Sequence, residues 1–503
     1  MPVPQPFTYV DLFAGIGGFH AALSAMGGRC AYAVEIDPQA ALVYQRNWGL
    51  DPLGDITEDT GDQGASQEVS SAVPSHDLLA AGFPCQPFSK SGAQRGMEEV
   101  RGTLFFNIMQ VVRAHHPAVL LLENVRNLAG PRHRHEWEVI IRMLREEGYR
   151  VSATPAVLSP HQIPPRLGGR PQVRERVFIT ATYDPHRDPT ADDLIEPIAT
   201  PRTVFPTPFP EPFPDPTSHP APPDVASGTR LGATTSAASQ ETGAGTFSPS
   251  RWRIEDILLE EGDPRLAGTA LSAEEAQWID AWDAWVQEYR HRHPGTRLPG
   301  FPIWVDAWVT SEELEARIDA GEHDATPRWK MTFLRKNADL YTANEQWCRQ
   351  WLRDLGVQQF PPTRRKLEWQ AQDTGCLWDC LVHLRPSGLR AKAPTYVPAL
   401  VAITQTSIVG PRRRRLAPRE TARLQGLPDA FSFGDQPQAV TYRQLGNAVN
   451  VGAAWNALRL HCQRDREVLL GTDAGRRVLA AVEAAPPSPD DAVASLLGAP
   501  AAA

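Results

Sequence analysis

Four short apolar runs, each followed by a helical pattern, constrain this chain more than any other feature: Tyr9–Phe13, Ala31–Glu35, Leu78–Ala81 and Val119–Leu122. Continuous runs of this length read as strands buried on both faces. Helical patterns occupy Phe19–Met26, the segment opened by Pro38, Leu104–Ala114 and Trp137–Glu147. Proline is tolerated in a first helical turn, so Pro38 marks a helix start. Repeated strand–helix units predict an α/β domain with a parallel sheet and helices on both faces.

The pattern breaks after Tyr183. Eleven prolines lie between Pro197 and Pro223, one at every second position from Pro206 to Pro216, and proline neither donates to a ladder nor continues a helix. Ser227–Ser250, rich in Gly, Ala, Ser and Thr, reads as a flexible linker or insert. Order is expected again from Trp252. Trp278, Trp282 and Trp285 share a helix face that Ser272 caps and Glu275 completes as a box, and this face reads as core. Tyr442–Leu458 reads as a loop or short strand leading into a helix, and the last twenty or so Ala- and Pro-rich residues as frayed. The expected division is 7–183 as a first catalytic part, 184–250 as linker, 251–394 as a second domain, 395–465 as a return segment and 466–503 as a tail.

The net charge of −9 names no partner, because a polyanion binder needs one basic face rather than a basic total. Such a stretch exists: Pro361–Leu416 holds ten Arg or Lys against three acids. Arg412–Arg415 within it suits a phosphate contact, a solvated face or a nuclear signal. No run approaches a membrane span and the start lacks a signal-peptide layout, so a cytoplasmic protein with no membrane partner is expected. Six scattered cysteines imply free thiols. Cys376 and Cys380 lack the second pair that a zinc site needs, and no metal is expected.

The chemistry concentrates at strand ends. Asp11-Leu-Phe-Ala-Gly-Ile-Gly-Gly-Phe19 is a glycine turn between a strand and a helix, with Gly15 and Gly17 allowing close approach of a ligand. It is not a dinucleotide fingerprint, since His20 stands where the last glycine belongs. Glu35, twenty residues beyond Gly15, is placed to accept two hydrogen bonds from ribose hydroxyls, and Asp55 follows as an adenine partner. A ribose acid without a phosphate loop suits a nucleoside cofactor such as S-adenosylmethionine. Cys85, in Gly82-Phe-Pro-Cys-Gln-Pro-Phe-Ser89, is a nucleophile candidate at a strand end between rigid prolines. Glu123 ends another strand at the same edge, and Gln172-Val-Arg-Glu-Arg176 puts Arg174 and Arg176 on one strand face.

In this order, and with Arg415-Leu-Ala-Pro-Arg-Glu-Thr-Ala-Arg-Leu-Gln-Gly-Leu-Pro-Asp429 and Tyr442-Arg-Gln-Leu-Gly-Asn-Ala-Val449 downstream, the motifs resemble the DNA cytosine-5 methyltransferase family over roughly residues 7–183 and 395–460. The resemblance implies a Rossmann-like methyltransferase sheet plus a smaller target-recognition domain, and S-adenosyl-L-methionine as cofactor. It implies that Cys85 adds to carbon 6 of a flipped-out cytosine, Glu123 acts at ring nitrogen 3, Arg176 contacts the carbonyl oxygen and Arg174 supports the pocket. For the cofactor it implies Phe13 against adenine, Glu35 on the ribose, Asp55 at the adenine amino group and Asn447 at the methionine end. Gly15, Gly17, Ile36, Ile56, Pro84 and Val449 complete the expected lining. Gln86–Gly102 is a candidate closing loop.

The interval before Arg415 is where this family places target recognition, and Arg385, Arg390 and Lys392 are candidates there for phosphates or guanine edges. The expected partner is double-stranded DNA, met by a monomer, with a restriction endonuclease for the same site as a further partner. An RNA cytosine-5 methyltransferase, an inert DNA-binding relative and a nucleotide-binding oxidoreductase are the competing readings.

Overall fold

The computed structural model describes residues 6–61, 69, 71–84, 103–199, 253–371, 373–400 and 406–498. Cys85, the Gln86–Gly102 loop, the proline-rich run beyond Ala199 and the Ser227–Ser250 linker lie outside the described residues.

The N-terminal half alternates as read: β1 (Thr8–Leu12), α1 (Gly18–Ala25), β2 (Arg29–Val34), α2 (Pro38–Trp48), α3 (Ile56–Thr60), β3 (Leu78–Gly82), α4 (Leu104–His115), β4 (Val119–Val125) and α5 (Arg134–Glu146). Asp37 caps α2 through the amides of Gln39 and Ala40, with Pro38 in the first turn. β5 (Tyr149–Val151), β6 (Ala156–Leu158), β7 (Gln172–Val173) and β8 (Arg176–Tyr183) follow. The main sheet has the order β2-β1-β3-β4-β8-β5, with β6 also on β8. β2, β1, β3 and β4 are parallel, but β8 runs antiparallel to β4, β5 and β6. The sheet is therefore mixed rather than wholly parallel, because β8 is reached by short connections instead of a crossover helix. Alternate residues of one strand enter opposite cores. Leu78 and Ala80 face α1 and the C-terminal helices, while Leu79 and Ala81 face α4 and α5.

A second body follows: α6 (Ala273–Arg292), β9 (Ile303–Trp304), α7 (Ser311–Asp319), α8 (Arg328–Asp354), β10 (Lys366–Gln370), β11 (Leu381–Arg385) and β12 (Gly388–Lys392). β13 (Val397–Pro398) pairs with β7, tying this body to the first. β14 (Ile408–Val409) and β15 (Arg414–Arg415) complete a sheet of order β15-β14-β11-β12-β10-β9. The Ser272–Glu275 capping box on α6 is present. Trp282 and Trp285 are fully buried in a core with Trp347 and Trp351, so these tryptophans are core and not base-stacking platforms.

The chain then returns as α9 (Pro418–Leu424), α10 (Gln438–Asn447) and α11 (Val451–Arg464), followed by α12 (Arg466–Leu469), α13 (Asp473–Ala484) and α14 (Asp490–Leu496). Two expectations are corrected by the structure. Tyr442 opens no loop or strand: it lies inside α10, and only Ala448–Asn450 separate α10 from α11. Of the last twenty or so residues the described ones are not frayed, since Asp490–Leu496 is a helix with Val493 buried. Val478, Leu479, Val482 and Val493 are buried in the core beside α1, and Arg477 clasps Asp77 with its Nη2 donating to Oδ1 at 2.6 Å. In the Arg412–Arg415 run the first two arginines are exposed, as a solvated face would be, and the last two are held by acids. Arg412 pairs with Glu261, Arg414 with the buried Glu420 and Arg415 with Glu275, while Arg413 lies 4.2 Å over the Trp378 ring. No described helix is long and apolar enough to cross a membrane.

Four buried aliphatic side chains contribute about 1.5–3 kcal/mol each by removal from water. Ending the chain after Asp465 is thus expected to lower the thermal midpoint by more than about 5 °C. An unchanged melting curve for that truncation would show the tail to be dispensable.

Candidate active site

Where β1 to β4 end, the backbone opens into a cavity of about 430 Å³, the edge at which open α/β sheets hold their ligands. The antiparallel β8 begins at this same edge, because Val125 near the end of β4 pairs with Arg176 at the start of β8. That reversal brings Arg176 beside Glu123, with Nε 2.9 Å from Oε1. A larger cleft of about 1010 Å³ lies outside α5, lined by Trp137, Ile141 and Pro155, and includes none of the expected site residues.

One wall is the glycine turn. Phe13 has φ +58°, a conformation rarely adopted by a bulky residue and costing on the order of 1 kcal/mol or more. Glu35 spans the turn: Oε2 accepts from Gly15 N at 2.7 Å and Oε1 from Asp37 N at 2.8 Å. Held this way, Glu35 lines the cavity. Burial raises the Glu35 carboxyl, and these amides oppose the rise. Ile36, 68% exposed, offers an apolar surface at the mouth. Asp55 lines the floor while capping α3 through Thr57, and Ile56 lies beside it. Gly17 and Val449 stand behind the wall. A Cβ on Gly17 would lie 2.1 Å from Trp48 Nε1, and one on Gly18 2.3 Å from the Val449 carbonyl. His20 explains the missing fingerprint glycine. It is buried, donates to or accepts from Tyr44 through Nδ1 at 2.6 Å and stacks on Trp48, with burial lowering its pKa to about 4. The start of α1 is therefore packed against α2.

The opposite wall carries the charge. Glu123 is almost wholly buried, and burial raises its carboxyl even though Arg176 and Arg174 pull it down. A carboxyl of this kind holds its proton to higher pH than an exposed one. Arg174 and Arg176 both line the cavity, but not as alternating residues of one strand. β8 starts at Arg176, and Arg174 lies in the link before it because its guanidinium is claimed elsewhere. It donates to the carbonyls of Leu400 (3.0 Å), Gly446 (2.9 Å) and Ala448 (2.7 Å). Arg174 thereby anchors the α10–α11 junction, which carries Asn447 into the lining.

Pro84 is the last described residue before Cys85 and lines the cavity. Asn124 steadies this strand end, its Nδ2 donating to the Phe83 carbonyl at 2.8 Å. Asp37, Leu104, Asn124 and Arg443 also line the cavity and were not among the expected residues. The signal for Asn124 was an amide beside a buried carboxylate at a strand end. Arg443 had none, because its nearest partners, Asp37 and Gln39, are some four hundred residues away in sequence.

Residues 7–220 and 308–459 match the family model described as C-5 cytosine-specific DNA methylase. The chain is similar to the Type II methyltransferase M.AluI of Cellulosimicrobium cellulans, with 47% identity over 537 aligned positions covering 98% of each protein. It is 42% identical over 171 residues to the Type II methyltransferase M.HhaI of Haemophilus parahaemolyticus, covering 34% of this chain and 47% of that one. A solved S. pombe Dnmt2 methyltransferase aligns over 91% of this chain and 98% of its own at 15% identity, with a TM-score of 0.43.

Proposed function

The chain belongs to the C-5 cytosine-specific DNA methylase family, and on that premise we propose that the cavity at the strand ends holds S-adenosyl-L-methionine and the target cytosine together. The enzyme methylates carbon 5 of cytosine in specific DNA sequences, as Type II modification methyltransferases do.

The observation that carries the cavity assignment is Glu35, fixed by two backbone amides with lone pairs left for a ribose diol. The donor set fits a nucleoside without phosphates. The glycine turn holds no Lys or Arg, His20 is in the core, and the apolar Phe13 and Ile36 suit the two faces of a flat ring. Gly15, Asp55, Ile56, Pro84 and Asn447 complete the binding surface, with Gly17 and Val449 shaping it from behind. When bound, the cofactor supplies an electrophilic methyl group. The remaining work falls to the protein. Cys85 adds as thiolate to carbon 6 and raises electron density at carbon 5. Glu123 donates a proton or hydrogen bond at nitrogen 3, and Arg176 faces the ring carbonyl. Loss of the carbon-5 proton and expulsion of Cys85 then restore the aromatic ring.

We further infer a cytoplasmic monomer acting on duplex DNA, either paired with a restriction endonuclease for the same site or as an orphan methylase. Residues 7–183 and 395–465 form the catalytic part and 251–394 the recognition part, although 408–415 pair into the second sheet. Glu35→Gln is expected to weaken S-adenosylmethionine binding by roughly 10- to 100-fold in calorimetry, the scale of one or two charge-assisted hydrogen bonds. Unaltered affinity would move the ribose elsewhere.

A further inference from the structure

Among the described residues, one face of the second sheet is packed against helices and the other is partly exposed at its centre. Leu367, Trp369, Val382, Leu384, Leu389 and Ala391 point into the core beneath α6 and α8. By alternation, the residues between them share the other face. Cross-strand pairing checks the assignment. His383 lies opposite Arg390 and Leu381 opposite Lys392, while Glu368 and Gln370 lie beside Arg390 and Lys392. At one end of this face Leu381 packs with Leu416 and Leu424, against the catalytic body. Beyond Leu381 the same face turns cationic.

The cations there differ in how they are held. Arg390 donates to Glu368 Oε2 through Nε at 2.7 Å, and its Nη2 approaches the same oxygen. The guanidinium plane is thereby fixed, with its Nη1–Nη2 edge directed away from the carboxylate. Arg385 meets the same oxygen only at 3.6 Å. Lys392 has no carboxylate within 4 Å among the described residues, and burial with Arg390 and Arg385 nearby lowers its pKa. His383, with a pKa lowered to about 4, adds no charge at neutral pH. Glu368 thus meets Arg390 and, more loosely, Arg385 while Lys392 stays unpaired among the described residues, and the surplus suits a polyanion. The face ends in aromatic rings. Trp304 lies opposite Lys366 and meets Phe333 edge-on, and Phe333 meets Trp329, which is 62% exposed.

The face is also at the right reach. Lys392 is five residues before Val397, which pairs with Gln172, and Arg176 follows four residues later. At no more than about 3.6 Å per residue, with about 5 Å more across the strand pair, Lys392 and Arg176 lie within about 37 Å, roughly one turn of duplex.

We propose that this face reads the target duplex, with Arg390, oriented by Glu368, recognising a guanine edge in the major groove while Lys392 and Arg385 contact phosphates. The proposal rests on the DNA-methylating function stated above. A guanidinium fork matches guanine O6 and N7, and a buttressed one loses less freedom on binding. Lysine, a point charge, suits phosphate.

The test uses full-length enzyme on a library of duplexes with randomised positions around a central cytosine, with methylation read by bisulfite sequencing. The wild-type pattern comes first, and absence of any methylated DNA would overturn the function itself. Against a defined pattern, Arg390→Ala is expected to lose about 5- to 150-fold of discrimination at one position, a guanine in the wild-type pattern. Arg390→Lys, which keeps the charge and guards against misfolding, is expected to relax the same position. Lys392→Ala is expected to weaken all sequences alike and to reduce the salt dependence of binding by about one ion. An unchanged pattern in both Arg390 variants, or a uniform rate loss with the pattern intact, overturns the assignment of Arg390 as a base reader.

Discussion

Cys85→Ala is expected to lower methyl transfer by at least about 10⁴-fold while leaving S-adenosylmethionine affinity within a few-fold of wild type. The scale is that of losing a covalent nucleophile. Carbon 5 of cytosine is a weak nucleophile until a thiolate has added at carbon 6, so no other group at this edge substitutes for the sulfur. Cofactor affinity should survive because the binding set lies on Phe13, Glu35, Asp55 and the α10–α11 junction, with Pro84 the lining residue that precedes Cys85 in sequence. Single-turnover kinetics with isothermal titration separate the two effects. Appreciable turnover by the alanine variant would remove covalent addition from the mechanism.

The second large effect is at Glu123. Glu123→Gln is expected to reduce kcat by about 10²- to 10⁴-fold, the usual contribution of a positioned acid. The pH dependence carries the sharper information. Burial raises the Glu123 carboxyl, so its protonated form persists to higher pH than in an exposed glutamate. As pH rises through that raised value the proton is lost, and kcat should fall on that limb. The glutamine variant has no such ionisation, so the falling limb should vanish along with most of the rate. A retained limb would assign it to another group, and a near-normal rate would reduce Glu123 to an ion-pair partner of Arg176.

Much of the catalytic body was legible in the sequence because its strands are buried on both sides. Leu78–Ala81 and Val119–Leu122 read as strands without any knowledge of partners, since continuous apolar runs between helical patterns have few other homes. The direction of β8 was not legible. Its composition resembles that of a parallel strand, and only the lengths of the connections around β5 and β6 decide its orientation. Yet this reversal sets Arg176 against Glu123. The tail was misread because Ala and Pro dominated its composition and hid the helical spacing of Val478, Leu479 and Val482. The pairing within the basic segment was not legible for a different reason. Charge counted over a window omits distant acids, and Glu261 and Glu275 neutralise Arg412 and Arg415 from outside it. Arg385, Arg390 and Lys392 kept their surplus because β10 and β11 bring only Glu368 to their face.

At the site, the residue types at strand ends carried the reading. Glu35, Glu123 and Arg176 were nameable because a carboxylate or guanidinium at a buried strand end requires a partner. Arg174 was nameable from its place beside Arg176, but it acts through backbone carbonyls, and those partners leave no trace in sequence. Arg174 spans from the β7–β8 link to Leu400, Gly446 and Ala448, contacts that exist only once the return segment has docked.

The most direct test of the central claim is transfer of labelled methyl from S-adenosylmethionine to unmethylated duplex DNA, run beside transfer RNA, with bisulfite mapping and nucleoside mass spectrometry of the product. The account predicts 5-methylcytosine at one recurring DNA sequence and no label in RNA. Label confined to RNA, or a methyl group on the exocyclic nitrogen instead of carbon 5, would contradict it.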